Sequence, residues 1–304
     1  MKKVILLAGP TASGKSDLAI YLAKKINGEI INADSMQVFK EVKILSARPD
    51  NYKKIKHHLF GFLSVKKNFS TGEWLKLVEK KIKEIVKRKK IPIIVGGTGL
   101  YFKALTEGIA KIPNISNSKR RKIVKLYRKI GNQAFYKKLI KLDPKCKDKI
   151  SPNDKQRMIR FYEVKFFTKK SIFIWQKNTK NNLKDFYFVK IFLNLSRDFL
   201  LQKIEKRFNL MIAKGAIREA KKFNNIKLSR HLTSNNILGL KELIAHLDGK
   251  ISLEEAIERS IIRTRQYIKR QMTWFRGQMT DWKDFTDLKP LGLRKKILNF
   301  IRTS

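Results

Sequence analysis

Eight residues near the amino end, Gly9-Pro10-Thr11-Ala12-Ser13-Gly14-Lys15-Ser16, constrain this chain more than any others. They fit the pattern G-x-x-x-x-G-K-[ST], and their flanks give that pattern its meaning. Val4 to Ala8 is a short aliphatic run that suits a buried parallel strand. After the loop, Leu18, Ala19, Leu22, Ala23 and Ile26 recur at three-to-four spacing, and Asn27-Gly28 ends the pattern as a left-handed helix cap does. In a strand, glycine loop and helix of this kind, backbone N–H groups and the helix N-terminus wrap a pyrophosphate. Lys15 would neutralise phosphate oxygens, and the Ser16 hydroxyl would enter the shell of Mg²⁺, the one cofactor expected. Residues Gly9, Pro10, Thr11, Ala12, Ser13, Gly14, Lys15 and Ser16 are therefore read as a site for a di- or triphosphate. The reaction stays open, because kinases, hydrolases and transferases that release pyrophosphate all need the same cradle.

The rest of the chain reads as α/β. Glu29 to Asn32 is a second strand ending at Asp34-Ser35, and Ile91 to Val95 a third ending at Gly96-Gly97-Thr98. Gly72 to Arg88, after Ser70-Thr71, is helical between them. The alternation predicts a P-loop-type parallel sheet with helices on both faces, its strand order undetermined. From about 113 to 185 the chain turns to Lys, Arg, Asn and Ile, with helical periodicity in Arg120 to Ile130 and Gln133 to Leu142 and no clear strand. This stretch is read as a helical insertion domain. Phe186 to Leu195 resumes strand character, Ser196 fits an N-cap, and Arg197 to Lys214 is a helix stopped at Gly215. Two further helical patterns follow, Leu253 to Gly277 the longest. The division is a first part of the catalytic core at 1–112, the insertion at 113–185, and a return to the core with C-terminal helices at 186–304.

With 304 residues, of which 42% are hydrophobic, the chain can bury a substantial core. No apolar run approaches the eighteen or so residues of a membrane span, and Val4 to Ala8 is too short for a signal peptide. A soluble cytoplasmic protein with no membrane association is expected. Seventy Lys and Arg against 25 Asp and Glu give a net charge of +45, which favours a polyanion such as nucleic acid, although a Lys-, Ile- and Asn-rich composition accounts for part of the excess. A lone Cys146 and four histidines without metal-ligand spacing give no structural zinc.

Asp34 directly follows the second strand, which puts it at the same C-terminal sheet edge as the phosphate loop. A carboxylate there can take a proton from an acceptor held facing the phosphates.

Several segments, in order over nearly the whole chain, resemble the tRNA dimethylallyltransferase family, also called isopentenyl-tRNA transferases. They are Gly9 to Ser16, Asp34-Ser35-Met36-Gln37, Ala47-Arg48-Pro49, Gly96-Gly97-Thr98-Gly99-Leu100-Tyr101, Pro152-Asn153-Asp154 with Gln156-Arg157, and Arg265-Gln266 with Lys269-Arg270-Gln271 through Trp274-Phe275-Arg276. The resemblance implies transfer of the five-carbon group of dimethylallyl diphosphate to N6 of adenosine 37 of tRNA, with release of pyrophosphate. Asp34 would be the general base, with Lys15 and Ser16 catalytic beside it. The implied partners are a tRNA anticodon stem-loop and dimethylallyl diphosphate, and the protein is expected to act as a monomer. By the same resemblance Asp34, Ser35, Met36, Gln37, Thr98, Arg120, Gln156, Arg157, Met158, Ile159, Arg160, Arg265, Lys269 and Arg270 would contact tRNA, and Lys241 the diphosphate. The family often carries Arg or Gln where Asn236 stands and usually tyrosine where Leu240 stands, so the long side chain that could touch the diphosphate is missing. His57-His58 matches a family His element read here as structural. Gln156 and Arg160 fall four apart on one helical face. In the late helix Arg265, Lys269 and Arg276 share one face, and Tyr267, Gln271 and Trp274 another that packs on the core. Two other readings remain open: a P-loop small-molecule kinase, for which no arginine-bearing lid is evident, and a nucleotide-regulated RNA-binding factor without chemistry.

Overall fold

The chain, seen in a computed structural model that describes residues 2–49, 55–177, 179, 181–229, 231–286 and 290–304, forms two compact units. The first comprises Met1–Thr106 and Leu183–Ser304, the second Glu107–Asn182. In chain order the elements are β1 (Lys2–Ala8), α1 (Lys15–Lys25), β2 (Gly28–Asn32), β3 (His57–His58), α2 (Thr71–Lys87), β4 (Ile91–Gly96), α3 (Gly99–Glu107), α4 (Asn117–Leu142), α5 (Lys155–Thr168), α6 (Ile172–Lys177), β5 (Phe186–Leu193), α7 (Arg197–Ala213), α8 (Ala216–Asn224), α9 (Leu240–Leu247), α10 (Leu253–Gln278), β6 (Lys283–Phe285) and α11 (Pro290–Thr303).

In the first unit the strands form one parallel sheet in the order β3-β2-β4-β1-β5-β6. Strands this apolar must be covered on both sides. On one face Ile5 and Leu7 of β1 pack with Leu18, Ala19 and Leu22 of α1, Leu200 and Ile204 of α7, and Ile297 and Ile301 of α11. Val4 and Leu6, on the other face by strand alternation, are equally buried, and α2 lies against β2 and β4. The parallel α/β expectation is met. Among the described residues four helices, α8 to α11, follow Gly215 where two were expected, and the edge strands β3 and β6 were not foreseen. Two- and three-residue strands are too short to display a period.

Helix ends follow the local chemistry. Ser70 starts α2 with a capping box: its Oγ accepts from Glu73 N, and the Glu73 carboxylate accepts from Ser70 N. Ser196 caps α7 through Phe199 N. After α1 it is Asn27, at φ 51°, that takes the left-handed turn, while Gly28 begins β2.

The second unit is helical. Gly131, at φ 77° and ψ 179°, breaks α4 into two helices at the point between the two helical patterns of the sequence. Its core includes Ile123, Tyr127, Phe135, Leu139, Cys146, Met158, Ile159 and Tyr162, and burial pushes the Cys146 thiol up to about 12. Among the described residues no helix is long and apolar enough to cross a membrane.

Candidate active site

The phosphate loop runs from the end of β1 into α1 and is held at several points. Gly9 N donates to Gly96 O (3.3 Å), Ser13 N to Pro10 O (3.3 Å), and Leu18 N to Gly14 O (3.1 Å). Gly14 adopts φ 78°, a conformation that favours glycine and turns the chain into the helix. Lys15 Nζ donates to Pro10 O at 2.9 Å, folding the lysine back over the loop. The Ser13 hydroxyl is buried with no hydrogen-bond partner among the described residues.

One side chain from the far end of the chain ties the loop to the turn after β4. The carboxamide of Gln271, on α10, accepts from Thr11 N (3.0 Å) and donates to Gly97 O (2.8 Å). The glycines of that turn are there because backbone and rings approach too closely for a side chain. A Cβ on Gly96 would lie 2.0 Å from Ala33 O, and one on Gly99 2.1 Å from the Trp274 ring.

Asp34 sits in a turn fixed from both sides. Its N–H donates to Asn32 Oδ1 (2.8 Å), its carbonyl accepts from Asn32 Nδ2 (2.9 Å), and the indole of Trp74 binds Asn32 O (2.9 Å). Thr98 Oγ1 accepts from Ser35 N at 3.0 Å. The Asp34 Oδ1 accepts from Met36 N (2.9 Å), while Oδ2 takes no hydrogen bond among the described residues. One oxygen thus locks the turn and the other stays available to accept a proton.

The loop residues Ala12 to Leu18 line a cavity of about 410 Å³, closed by Leu195, Phe199, Lys203 and Arg207 of the β5–α7 region and by Leu293 and Arg294. Burial lowers the Lys15 ammonium to about 8; the Asp34 charge acts to raise it and Arg207 to lower it further. Arg207 is likewise lowered by burial and raised by Asp34. Tyr101 and Tyr267 are pushed up by burial and then by the Asp34 carboxylate. Two cations and two phenols therefore lie within the electrostatic reach of Asp34.

Other residues expected at the site divide into several groups. Gln37 uses its Nε2 to hold the carbonyls of Ser46 and Ala47 (3.1 Å each). Lys241 lines a different hollow, with Arg259, Arg263 and Gln266. Arg265 pairs with Glu205 of α7 (2.6 Å), Lys269 is exposed, and Arg270 lies over the Tyr267 ring. In the second unit Arg120 and Arg160 both reach Glu163, and Arg157 pairs with Asp154 (3.3 Å). Gln156 is exposed on the same helix. Met158 and Ile159 are buried in that unit's core, so this segment offers solvent its polar positions only. His58 Nε2 bonds Glu29 at 2.7 Å and His57 Nδ1 bonds Ile55 O at 2.8 Å, in keeping with a structural pair.

Sequence reasoning missed Arg207 and the bridging role of Gln271. Arg207 has a legible signal: it occupies the apolar stripe of α7 with Leu200, Ile204, Phe208 and Met211, where a cation has no packing reason to be. The partners of Gln271 lie some 174 and 260 residues away and left no local trace.

A family model described as IPP transferase matches residues 37–278. A tRNA dimethylallyltransferase of Pelagibacter ubique is 50% identical over 297 residues, covering 97% of this chain and 95% of that one. One of Rickettsia massiliae is 48% identical over 283 residues, covering 92% and 78%. Among solved structures, a full-length tRNA isopentenylpyrophosphate transferase from Bacillus halodurans superposes with a TM-score of 0.71 at 33% identity, covering 100% of this chain and 96% of the other. A eukaryotic dimethylallyltransferase, described in crystallographic snapshots as acting on tRNA, gives 0.78 at 31% identity over 98% and 77%. A phosphate loop and a fixed aspartate at one sheet edge, together with these likenesses over the full length, show that the chain belongs to the tRNA dimethylallyltransferase family.

Proposed function

We propose that this protein transfers the dimethylallyl group of dimethylallyl diphosphate to N6 of adenosine 37 in tRNA, with pyrophosphate as the leaving group. The observation that carries the reading is the pairing, at one edge of the parallel sheet, of the Lys15 loop with an Asp34 whose Oδ2 is unoccupied among the described residues. Loop amides, Lys15 and Arg207 would hold the diphosphate, and the orphaned Ser13 hydroxyl is a donor that such a ligand satisfies. As the allylic C–O bond breaks, negative charge gathers on the pyrophosphate, where these fixed donors stabilise it. The N6 lone pair forms the new C–N bond, and the N6 proton passes to Asp34 Oδ2. A base inside a stacked anticodon loop cannot reach such an edge, so adenosine 37 would be turned out of its stack.

The donor set also suits Mg²⁺. Ser16 contributes a hard oxygen in the cavity wall, and among the described residues no cluster of three His, Cys, Asp or Glu forms a cage of its own. Ser16 would hold the cation, which would supply charge neutralisation of the leaving group. In the second unit, Arg120, Arg157 and Arg160 are the cations proposed to meet RNA phosphates.

The test is incubation of the protein with unmodified tRNA, Mg²⁺ and either labelled dimethylallyl diphosphate or labelled ATP. Label from the allylic donor in RNA is the expected result. Label from ATP in a small molecule identifies a kinase, and retention of RNA with neither label identifies a binder.

A further inference from the structure

Among the described residues the second unit buries two carboxylates, Asp143 and Glu163, and only the second is paired with arginines. Glu163 lies on α5 and is 1% exposed. Its Oε1 takes Arg160 Nη1 at 2.5 Å, from one turn earlier on the same helix, and Arg120 Nη1 at 3.3 Å, from α4. Its Oε2 is buried with no hydrogen-bond partner among the described residues. Burying a carboxylate that leaves an oxygen unsatisfied is a costly way to stabilise a fold, since an apolar side chain of similar volume does as well.

The geometry has another consequence. Two guanidiniums that repel each other are drawn to one oxygen atom, although their residues are 40 apart in the chain. Each spends one N–H in doing so and retains the others of its five donors. The arginine side chains stay 50% and 37% exposed, so solvent reaches part of each. The result is a fixed pair of forks carrying net positive charge, suited to an RNA phosphate, which prefers planar bidentate donors.

We infer that Glu163 is a positioning residue for tRNA: it joins Arg120 and Arg160 into one phosphate-binding pair without touching RNA itself. This rests on the reading that the two arginines meet RNA. Without the carboxylate the cations separate, and the site becomes two loose surface charges.

The test is steady-state kinetics on the full chain with an unmodified tRNA transcript and dimethylallyl diphosphate over a range of KCl concentrations. Glu163→Gln is expected to raise the KM for tRNA about tenfold, the value of one charge-assisted hydrogen bond, with kcat and the KM for dimethylallyl diphosphate changed less than twofold. The dependence of log KM on log salt should flatten by about 0.7 for each RNA phosphate that the arginines no longer neutralise. In an Arg120→Ala/Arg160→Ala background, Glu163→Gln should add nothing. If the arginine double variant raises the KM for tRNA and Glu163→Gln does not, the positioning role falls while the RNA reading stands. If neither variant moves it, the RNA reading of these arginines falls as well. An effect of Glu163→Gln that persists in the double-alanine background, or that appears in kcat and thermal stability alone, overturns the proposal in favour of a structural role. Should Glu163→Gln fold poorly, Glu163→Asp keeps the charge but withdraws it by one methylene. It should give an intermediate KM for tRNA, and an unchanged KM in that folded variant counts against the inference.

Discussion

Lys15 carries the most specific consequence at the level of single residues. Held at about 8 by burial in the free protein, against about 10.4 for an ordinary lysine, it is about nine-tenths protonated at pH 7 and loses its charge as pH rises through 8. On the proposed function, the protonated form is the one that would bind diphosphate. The log of kcat/KM for dimethylallyl diphosphate should therefore fall above about pH 8, and Lys15→Arg should lack that limb; a profile flat to pH 9.5 in the wild type would contradict the assignment. Gln271 offers a second test, because it ties Thr11 to Gly97. Gln271→Leu leaves two backbone groups unpaired, which should cost about 1–3 kcal/mol in denaturant unfolding and raise the KM for the diphosphate as the loop loosens. An unaltered unfolding midpoint would show that neither group depends on it. The glycine loop and Asp34 were legible in the sequence because the motif and the end of a strand are local. Arg207 has a local signal, a cation in the apolar stripe of α7, that the reading passed over, whereas the bridging role of Gln271 has none, because Thr11 and Gly97 are distant in the chain.

Among the elements, β2 is anchored by a charge cluster at its start. The buried carboxylate of Glu29 meets His58 of β3 (2.7 Å), Arg88 just past α2 (2.7 Å) and Lys90 before β4 (3.3 Å). Burial pushes this carboxyl upward, but hydrogen bonds from the three partners outweigh it and hold the group at about 2. A carboxyl lowered from about 4.3 contributes stability that is complete above pH 4.3 and is lost as pH falls through 2. Glu29→Gln should therefore lower the unfolding free energy at pH 7 by about 2–3 kcal/mol, with a smaller difference at pH 2; equal stability at pH 7 would mean the cluster contributes nothing. Periodicity and capping residues had marked α1, α2, α7 and α10, since these carry their signals within a few positions. The edge strands escaped because β3 and β6 form only through pairing with β2 and β5.

On the scale of the whole molecule, the sheet order was the least readable feature. The strands β1, β2, β4 and β5 are all apolar enough to be central, so composition cannot rank them. Placing β1 between β4 and β5 brings the phosphate loop beside the Gly96-Gly97-Thr98 turn, and placing β2 next to β4 brings Asp34 to the same turn. The excess of positive charge distributed over both units agrees with an RNA substrate and predicts affinity that weakens with salt. The central claim is that Asp34 takes the proton from N6 while the loop holds the leaving group. Its most direct test is the single-turnover rate of dimethylallyl transfer to unmodified tRNA for Asp34→Asn, measured alongside tRNA affinity. A rate lower by about two to four powers of ten with unchanged affinity is predicted. A near-normal rate would contradict the account.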